Sequence, residues 1–377
     1  MKNLYQYMII FSLLVYLFPA HSGGQEAEPA NSSHRPETLN AFKPLFHFPP
    51  VNQDTTNVCW SFATLSFIES EMERLNGQSV KLAVMFPVYY AFIEKTKQYV
   101  ASKGNSRLMP GDLFPTVIEI IQTYGILPEE AYHGQADSSL CYNHLKLETE
   151  IEELKSVIKM DDLWDEAAVL KKLTAILDRY LGRPPGTFMY QGKSYTAKSF
   201  AARFVNLPWP DYLLVTSFSY APFWSFVRLE VPDNWQHLDR YYNVPLGVFY
   251  RGIIAAVKNG YSLAIDGDIN EPGRQGKIDS CFIPPYDIPS VAIDQAARDY
   301  RFDYKITTDD HLMHIVGYLR NGGEDLFLVK DSWRDAWEGR FKGYFFFHGD
   351  YIRLKVLAYL VHKDAVPEIR DKISASG

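Results

Sequence analysis

Cys59 opens the segment CWSFATLSFIESEMERLNG, in which Phe62, Leu65, Ile68, Met72 and Leu75 recur at spacings of three and four. That period predicts an amphipathic helix that begins at the cysteine and stops at Gly77, with Asp54, Thr55, Thr56 and Asn57 as the loop and cap residues before it. A thiol at a helix N-terminus meets unpaired backbone N–H groups and the positive end of the macrodipole, and both favour the thiolate. A thiolate nucleophile needs a partner that handles protons, and the chain has ten histidines. The best placed lie in TTDDHLMHIVGYLRNGGEDLFLVKDSW, where two apolar runs flank Asn321-Gly322-Gly323, a hairpin signal. A turn centred near Gly322 sets His311 opposite roughly residue 333 and within reach of Asp331. Strand alternation puts His311, Met313 and Ile315 on one face and Leu312, His314 and Val316 on the other, so only one histidine can face the thiol. His311 is expected there, and His314 is expected as a hydrogen-bonded core or rim residue.

The elements that must hold these groups belong to a chain of 377 residues, long enough for two domains or one bilobed domain. Hydrophobic residues make up 47% and charged residues 22%, which supplies apolar surface for a sizeable core and excludes disordered and collagen-like chains. The net charge of −7 comes with no basic stripe, so no nucleic-acid partner is expected. Segments such as LETEIEELKSVIKM and EAAVLKKLTAILDRYL have helical periodicity with solvated charges and read as scaffold. Three cysteines, Cys59, Cys141 and Cys281, cannot all pair, so at least one thiol is left over. Their scatter offers no zinc pattern, and no metal is expected.

At the N-terminus, Met1 and Lys2 precede an apolar run from Met8 to Leu17, then Pro19 and the small-residue stretch Ala20-His21-Ser22. This is the pattern of a signal peptide over residues 1–22, cleaved before Gly23. A run of about ten apolar residues is too short to cross a hydrocarbon core that needs about 20. The expectation is a secreted or periplasmic protein without stable membrane insertion. Residues 23–40 read as a disordered leader, and residues 41–377 as the folded domain.

Gln53 stands six residues before Cys59, and the segment NQDTTNVCWSFAT resembles the nucleophile region of papain-like cysteine peptidases. In that family a glutamine at this spacing donates its side-chain amide to the oxyanion, and Cys-Trp-Ser/Ala-Phe begins the central helix. A fixed amide donor together with the cysteine N–H stabilises the negative oxygen that thiolate attack creates. DHLM and KDSW resemble the family's histidine and Lys-Asn-Ser-Trp stretches, which gives His311 the base position, Asp331 the orienting position and Trp333 the indole that shields them. Further along, LAVMFPVYYAFIEKTKQYV, GDLFPTVIEIIQTYGILPEEAY, TAKSFAARFVN and NVPLGVFYRGIIAAVKNGYSLAIDGDI are similar to the bleomycin hydrolase or aminopeptidase C branch. Residues about 140–240 correspond to a family-specific insert.

The resemblance implies an α+β, two-lobed papain-like fold: a helical lobe, a β-rich lobe, and the active site in the cleft between them. It implies a peptidase that needs no cofactor and acts on peptide or protein substrates through a covalent acyl-enzyme, with Cys59, His311, Asp331 and Gln53 catalytic. Gly111, Trp60 and Trp333 are assigned to the substrate cleft. The branch also includes homo-oligomeric rings with the chain terminus in the cleft, so the polar tail after Val366 is expected either to fray or to reach that cleft. Three departures stand out. Thr56, Asn57 and Val58 replace the usual Gly and Cys before the nucleophile, Asp331 replaces the usual Asn, and Pro110-Gly111 replaces a Gly-Gly pair. Asp331, the missing Gly and Cys, and Arg334 in place of the usual Gly after the Trp leave open a catalytically decayed binding protein on this fold, and Asp331 twenty residues after His311 leaves open a transglutaminase-like Cys-His-Asp acyltransferase.

Overall fold

A computed structural model describes residues 36–135 and 141–376. From Glu37 onward these form one compact unit. The signal peptide and residues 23–35 of the expected leader lie outside the described residues, and the last two leader residues, Leu39 and Asn40, begin a short 3-10 turn, Leu39–Phe42.

The helices are α1 (Cys59–Asn76), α2 (Met85–Ala101), α3 (Phe114–Tyr124), α4 (Leu145–Met160), α5 (Glu166–Tyr180), α6 (Ala197–Phe200), α7 (Leu246–Lys258), α8 (Gln295–Asp303), α9 (Gly349–Lys355) and α10 (Pro367–Ser376). The strands are β1 (Phe188–Tyr190), β2 (Lys193–Tyr195), β3 (Tyr212–Thr216), β4 (Ser225–Val227), β5 (Tyr241–Asn243), β6 (Leu263–Gly267), β7 (Arg274–Gln275), β8 (Ser280–Cys281), β9 (His311–Asn321), β10 (Glu324–Lys330), β11 (Tyr344–His348) and β12 (Val356–His362). β1 and β2 form a small hairpin, and the other ten strands make one sheet in the order β4-β5-β3-β12-β6-β9-β10-β11-β8-β7. The fold is papain-like, with a helical lobe packed on one face of a sheet-rich lobe.

α1 starts at Cys59 and ends at Gly77, whose left-handed φ of 62° lets its N–H reach the carbonyls of Glu73 and Met72. The sequence predicts one apolar face, yet every residue from Cys59 to Met72 is buried. The helix is sandwiched between the rest of the helical lobe and strands β6 and β9, so both of its sides are covered. Its N-cap is Val58, which has no side-chain acceptor, so no cap competes for the first-turn N–H groups.

The β9–β10 hairpin turns at Gly322 and Gly323, with φ of 58° and 89°, conformations that favour glycine. Its register pairs Leu326 with Leu319 and, after a bulge at Leu328/Val329, Lys330 with His314. That carries Asp331 past the strand end to the level of His311. On the far face of the sheet, Phe249 and Ile253 of α7 and Tyr351 and Ile352 of α9 close a second core with Ile265, Met313, Ile315 and Phe327. The polar tail is a helix instead of a frayed or cleft-bound segment. Ile369 is buried against this layer and α10 packs on α7.

Candidate active site

Cys59 is 9% exposed and its Sγ accepts a 3.5 Å hydrogen bond from the backbone N–H of Leu312. The neighbouring His311 is buried, and its Nε2 donates to Asp331 Oδ1 at 2.8 Å. The same ring lies within hydrogen-bond reach of Cys59. Burial opposes protonation of His311, but the Asp331 carboxylate and then Cys59 outweigh it and hold its pKa up at about 10. The histidine is therefore an imidazolium at neutral pH, suited to pair with a thiolate and to give a proton to a leaving amine. Trp333 packs its ring beside His311 with centroids 6.0 Å apart and gives its backbone N–H to Asp331 Oδ1 at 2.7 Å.

Asp331 has a further partner that local sequence patterns do not reveal. Arg274 Nη2 donates to Asp331 Oδ2 at 2.9 Å and to Asp335 Oδ1 at 2.7 Å, and Nε donates to Asp335 Oδ2 at 2.8 Å. The guanidinium stacks over Phe345 at 4.1 Å. Burial alone would raise the Asp331 pKa, yet Arg274 and then His311 hold the carboxyl well below its ordinary range. The Asp331 carboxylate is a buried negative charge, and Arg274 neutralises it. The only available signal was that unbalanced charge itself, since Arg274 lies in the glycine- and proline-rich stretch NEPGRQG, 57 residues away.

Gln53 is buried, and its amide is held from both ends. Nε2 donates to the Thr56 carbonyl at 2.9 Å, and Oε1 accepts from Ser332 Oγ at 2.6 Å. Its backbone N–H also donates to the Ser332 carbonyl at 2.8 Å, which ties the loop before α1 to the segment carrying Asp331. These bonds fix which end of the amide is the donor, and one Nε2 hydrogen remains for an anion.

Two of the residues assigned to the cleft sit differently from expectation. Trp60 is 1% exposed, and its indole N–H donates to the Pro110 carbonyl at 2.9 Å, so it props the segment before Gly111 from inside the lobe and offers no surface to a substrate. The sequence showed an aromatic at the helix start, but not that both sides of α1 would be covered. Gly111 is partly exposed, with its Cβ direction closed by a carboxylate. A Cβ added there would meet Asp233 Oδ2 at 2.1 Å, because the insert loop bearing Asp233 and Trp235 folds over it. Trp235 fastens that loop by donating its indole N–H to Asp112 at 3.1 Å.

Alternation does not separate the two histidines as expected: Met313 and Ile315 face the far core, and His314 lies on the strand face packed against α1, but beside Ser66 and Phe67, about two turns along the helix from the thiol. His314 Nδ1 hydrogen-bonds Ser66 Oγ at 2.8 Å, which also accepts from Lys330 Nζ at 2.8 Å. Burial, then Lys330, hold His314 well below the ordinary histidine range, so it is neutral. His311→Ala should therefore remove turnover, with a stability cost that comes from breaking its buried pair with Asp331. His314→Ala should lower stability by about 1–3 kcal/mol, the scale of one disrupted buried hydrogen bond, with kcat nearly retained. Thermal melts paired with kcat decide this, and equal loss of kcat at unchanged melting temperature would contradict the assignment. Cys141 is exposed, Cys281 is buried, and all three cysteines are free thiols.

Residues 26–376 match the family described as the Peptidase C1-like family. The chain belongs to that family. This agrees with the papain-like resemblance and its bleomycin hydrolase and aminopeptidase C branch. Among solved structures, this C1-like chain is similar to the crystal structure of PepW from Lactobacillus rhamnosis HN001. The TM-score is 0.66 with 18% sequence identity over 89% of this chain and 85% of that one, a likeness of fold. No curated protein matches.

Proposed function

We propose that this C1-like chain is an active cysteine-type peptidase, and the observation that carries the reading is the buried Cys59–His311–Asp331 array fixed at the start of α1. The Cys59 thiolate attacks a peptide carbonyl carbon, and the carbonyl oxygen becomes an oxyanion facing the Gln53 amide and the first-turn N–H of α1. As the C–N bond breaks, His311 gives its proton to the leaving amine, and a thioester remains on Cys59. His311, now neutral, takes a proton from water, whose oxygen attacks the thioester. The carboxylic acid leaves and the Cys59–His311 ion pair returns. Asp331 holds the ring and stabilises the imidazolium.

The pairing of Asp331 with Arg274 supports an active site over a catalytically decayed fold. A transglutaminase-like acyltransferase shares the first half-reaction and differs in the acceptor, so incubation with a peptide and a primary amine separates the two. Free acid as the product supports the peptidase, whereas stoichiometric amide with the added amine would contradict it. Gln53→Ala should lower kcat by about 10²–10³-fold, as expected for loss of one preorganised oxyanion donor, with KM little changed. An effect confined to KM would make Gln53 a substrate-binding residue. Secretion is part of the proposal: Edman sequencing of the exported protein is expected to begin at Gly23, and an intact Met1 would contradict it.

A further inference from the structure

Between the nucleophile and Gly111 lies a set of carboxylates that the proposed mechanism does not use. Asp266 on β6 pairs across the ladder with Leu312, the residue whose N–H contacts Cys59 Sγ. Asp309 stands two residues before His311, and its carboxyl is within hydrogen-bond reach of that of Asp266. The backbone N–H of Asp233 donates to Asp309, and the Asp233 side chain occupies the space beside Gly111.

Cations near this cluster are already committed or distant. Lys95 is bound to Asp112 at 2.8 Å and to the carbonyls of Met109 and Gly111 at 3.0 and 2.5 Å. Arg107 approaches Asp233 only to 3.8 Å from an exposed position. Asp266 is 0% exposed, and neither of its oxygens receives a hydrogen bond from an N–H or O–H among the described residues. Asp309 Oδ2 is likewise without a donor. An independent sign comes from β5, where the hydroxyl of Tyr241, also 0% exposed, has no partner and lies in the electrostatic range of Asp266 and Asp309.

Buried carboxylates are normally paired, and leaving them without donors is costly. Burial, then Asp233, push Asp309 up to about 7, and burial, then Asp309, push Asp266 well above the ordinary carboxylate range, so the pair holds a proton when nothing else neutralises it. A donor-rich cation would satisfy the vacant oxygens and displace that proton. The carboxylates are not disposed as a metal-binding group. The Asp233 side chain, 22% exposed, and the partly exposed Asp309 give the cluster its opening to solvent.

We propose that Asp266, Asp309 and Asp233 form a substrate subsite beside Cys59 that binds a cationic amine of the peptide, either a protonated α-amino group or a lysine or arginine side chain. This rests on the peptidase reading, since the site is defined by its distance from the nucleophile. It assigns specificity to residues that take no part in the bond-breaking steps.

The test uses binding to the full-length Cys59→Ala protein, so that it stands whether or not the peptidase reading survives. Calorimetry compares an acetylated peptide carrying lysine with its norleucine counterpart, and a free-amino peptide with its acetylated form. At least one cationic member should bind about tenfold or more tightly than its neutral partner, the order of discrimination given by charged groups left unpaired. Whichever pair shows the difference names the source of the amine. Adding Asp266→Asn or, separately, Asp309→Asn should bring that ratio close to unity, while thermal melts report folding. Equal affinities in both pairs, or a preference that both folded asparagine variants keep, would overturn the subsite. Absence of turnover in the Cys59 parent would instead count against the peptidase reading.

Discussion

Cys59→Ala is expected to abolish peptide hydrolysis, while Cys141→Ala and Cys281→Ala keep most of it. The difference follows from position. Cys59 stands at an uncapped helix start beside an imidazolium, with the Gln53 amide fixed on the loop that leads into the helix. Cys141 is exposed, and Cys281 is buried, where burial pushes its thiol well above the ordinary range. A thiol kept protonated is a poor nucleophile. Loss of a nucleophile whose base and oxyanion donors act as a unit costs about 10⁶-fold in kcat, and turnover falls to the background that binding and the oxyanion hole sustain. Initial rates with a fluorogenic peptide check this, and retained turnover in the Cys59 variant would refute the assignment.

The second large effect lies on the far side of the histidine. Asp331→Asn removes one carboxylate from a buried set in which Arg274 bridges Asp331 and Asp335. Breaking such a pair from one side destabilises by about 3–5 kcal/mol, because the remaining charge is left partly uncompensated. It also removes the strongest influence holding the His311 pKa at about 10. The sign is set by which state the carboxylate favours. A negative neighbour stabilises the imidazolium, so losing it lowers the pH at which the active ion pair is discharged. The alkaline limb of kcat/KM is therefore expected near pH 10 in the parent and lower in Asp331→Asn. The single change leaves Arg274 buried behind the new amide with Asp335 as its one carboxylate partner in this set. Asp331→Asn combined with Arg274→Met should recover part of the lost stability, an interaction energy that urea melts of the two single variants and the double variant measure. Additive losses would show that Arg274 and Asp331 are not energetically coupled.

The contrast between Asp331 and Arg274 also shows what a single sequence makes legible. α1 and the β9–β10 hairpin carry their own periods and terminators: apolar spacings ending at Gly77, and two alternating runs around Gly322-Gly323. Hairpin register then brings His311 to Asp331 by counting alone. Arg274 arrives from a loop without periodicity, through pairing of the two-residue strands β7 and β8, and nothing local marks it. Burial was misjudged where it depended on a second layer. Trp60 looked available on a one-faced helix, but the sheet covers the other face. The closing of the Cβ side of Gly111 likewise depends on the distant Asp233 loop. The tail after Val366 is polar on average, yet Ile369 and Ile373, four apart, give it one apolar face that docks on the α7 layer.

The array of Cys59, His311 and Asp331 is tested most directly by mass spectrometry of the intact protein after reaction with a thiol-reactive peptide electrophile. The account predicts a single adduct at neutral pH, mapped to Cys59, that forms far more slowly in His311→Ala and at an unchanged rate in Cys141→Ala. An adduct at the exposed Cys141 in place of Cys59, or labelling of Cys59 that His311→Ala leaves as fast as before, would contradict it.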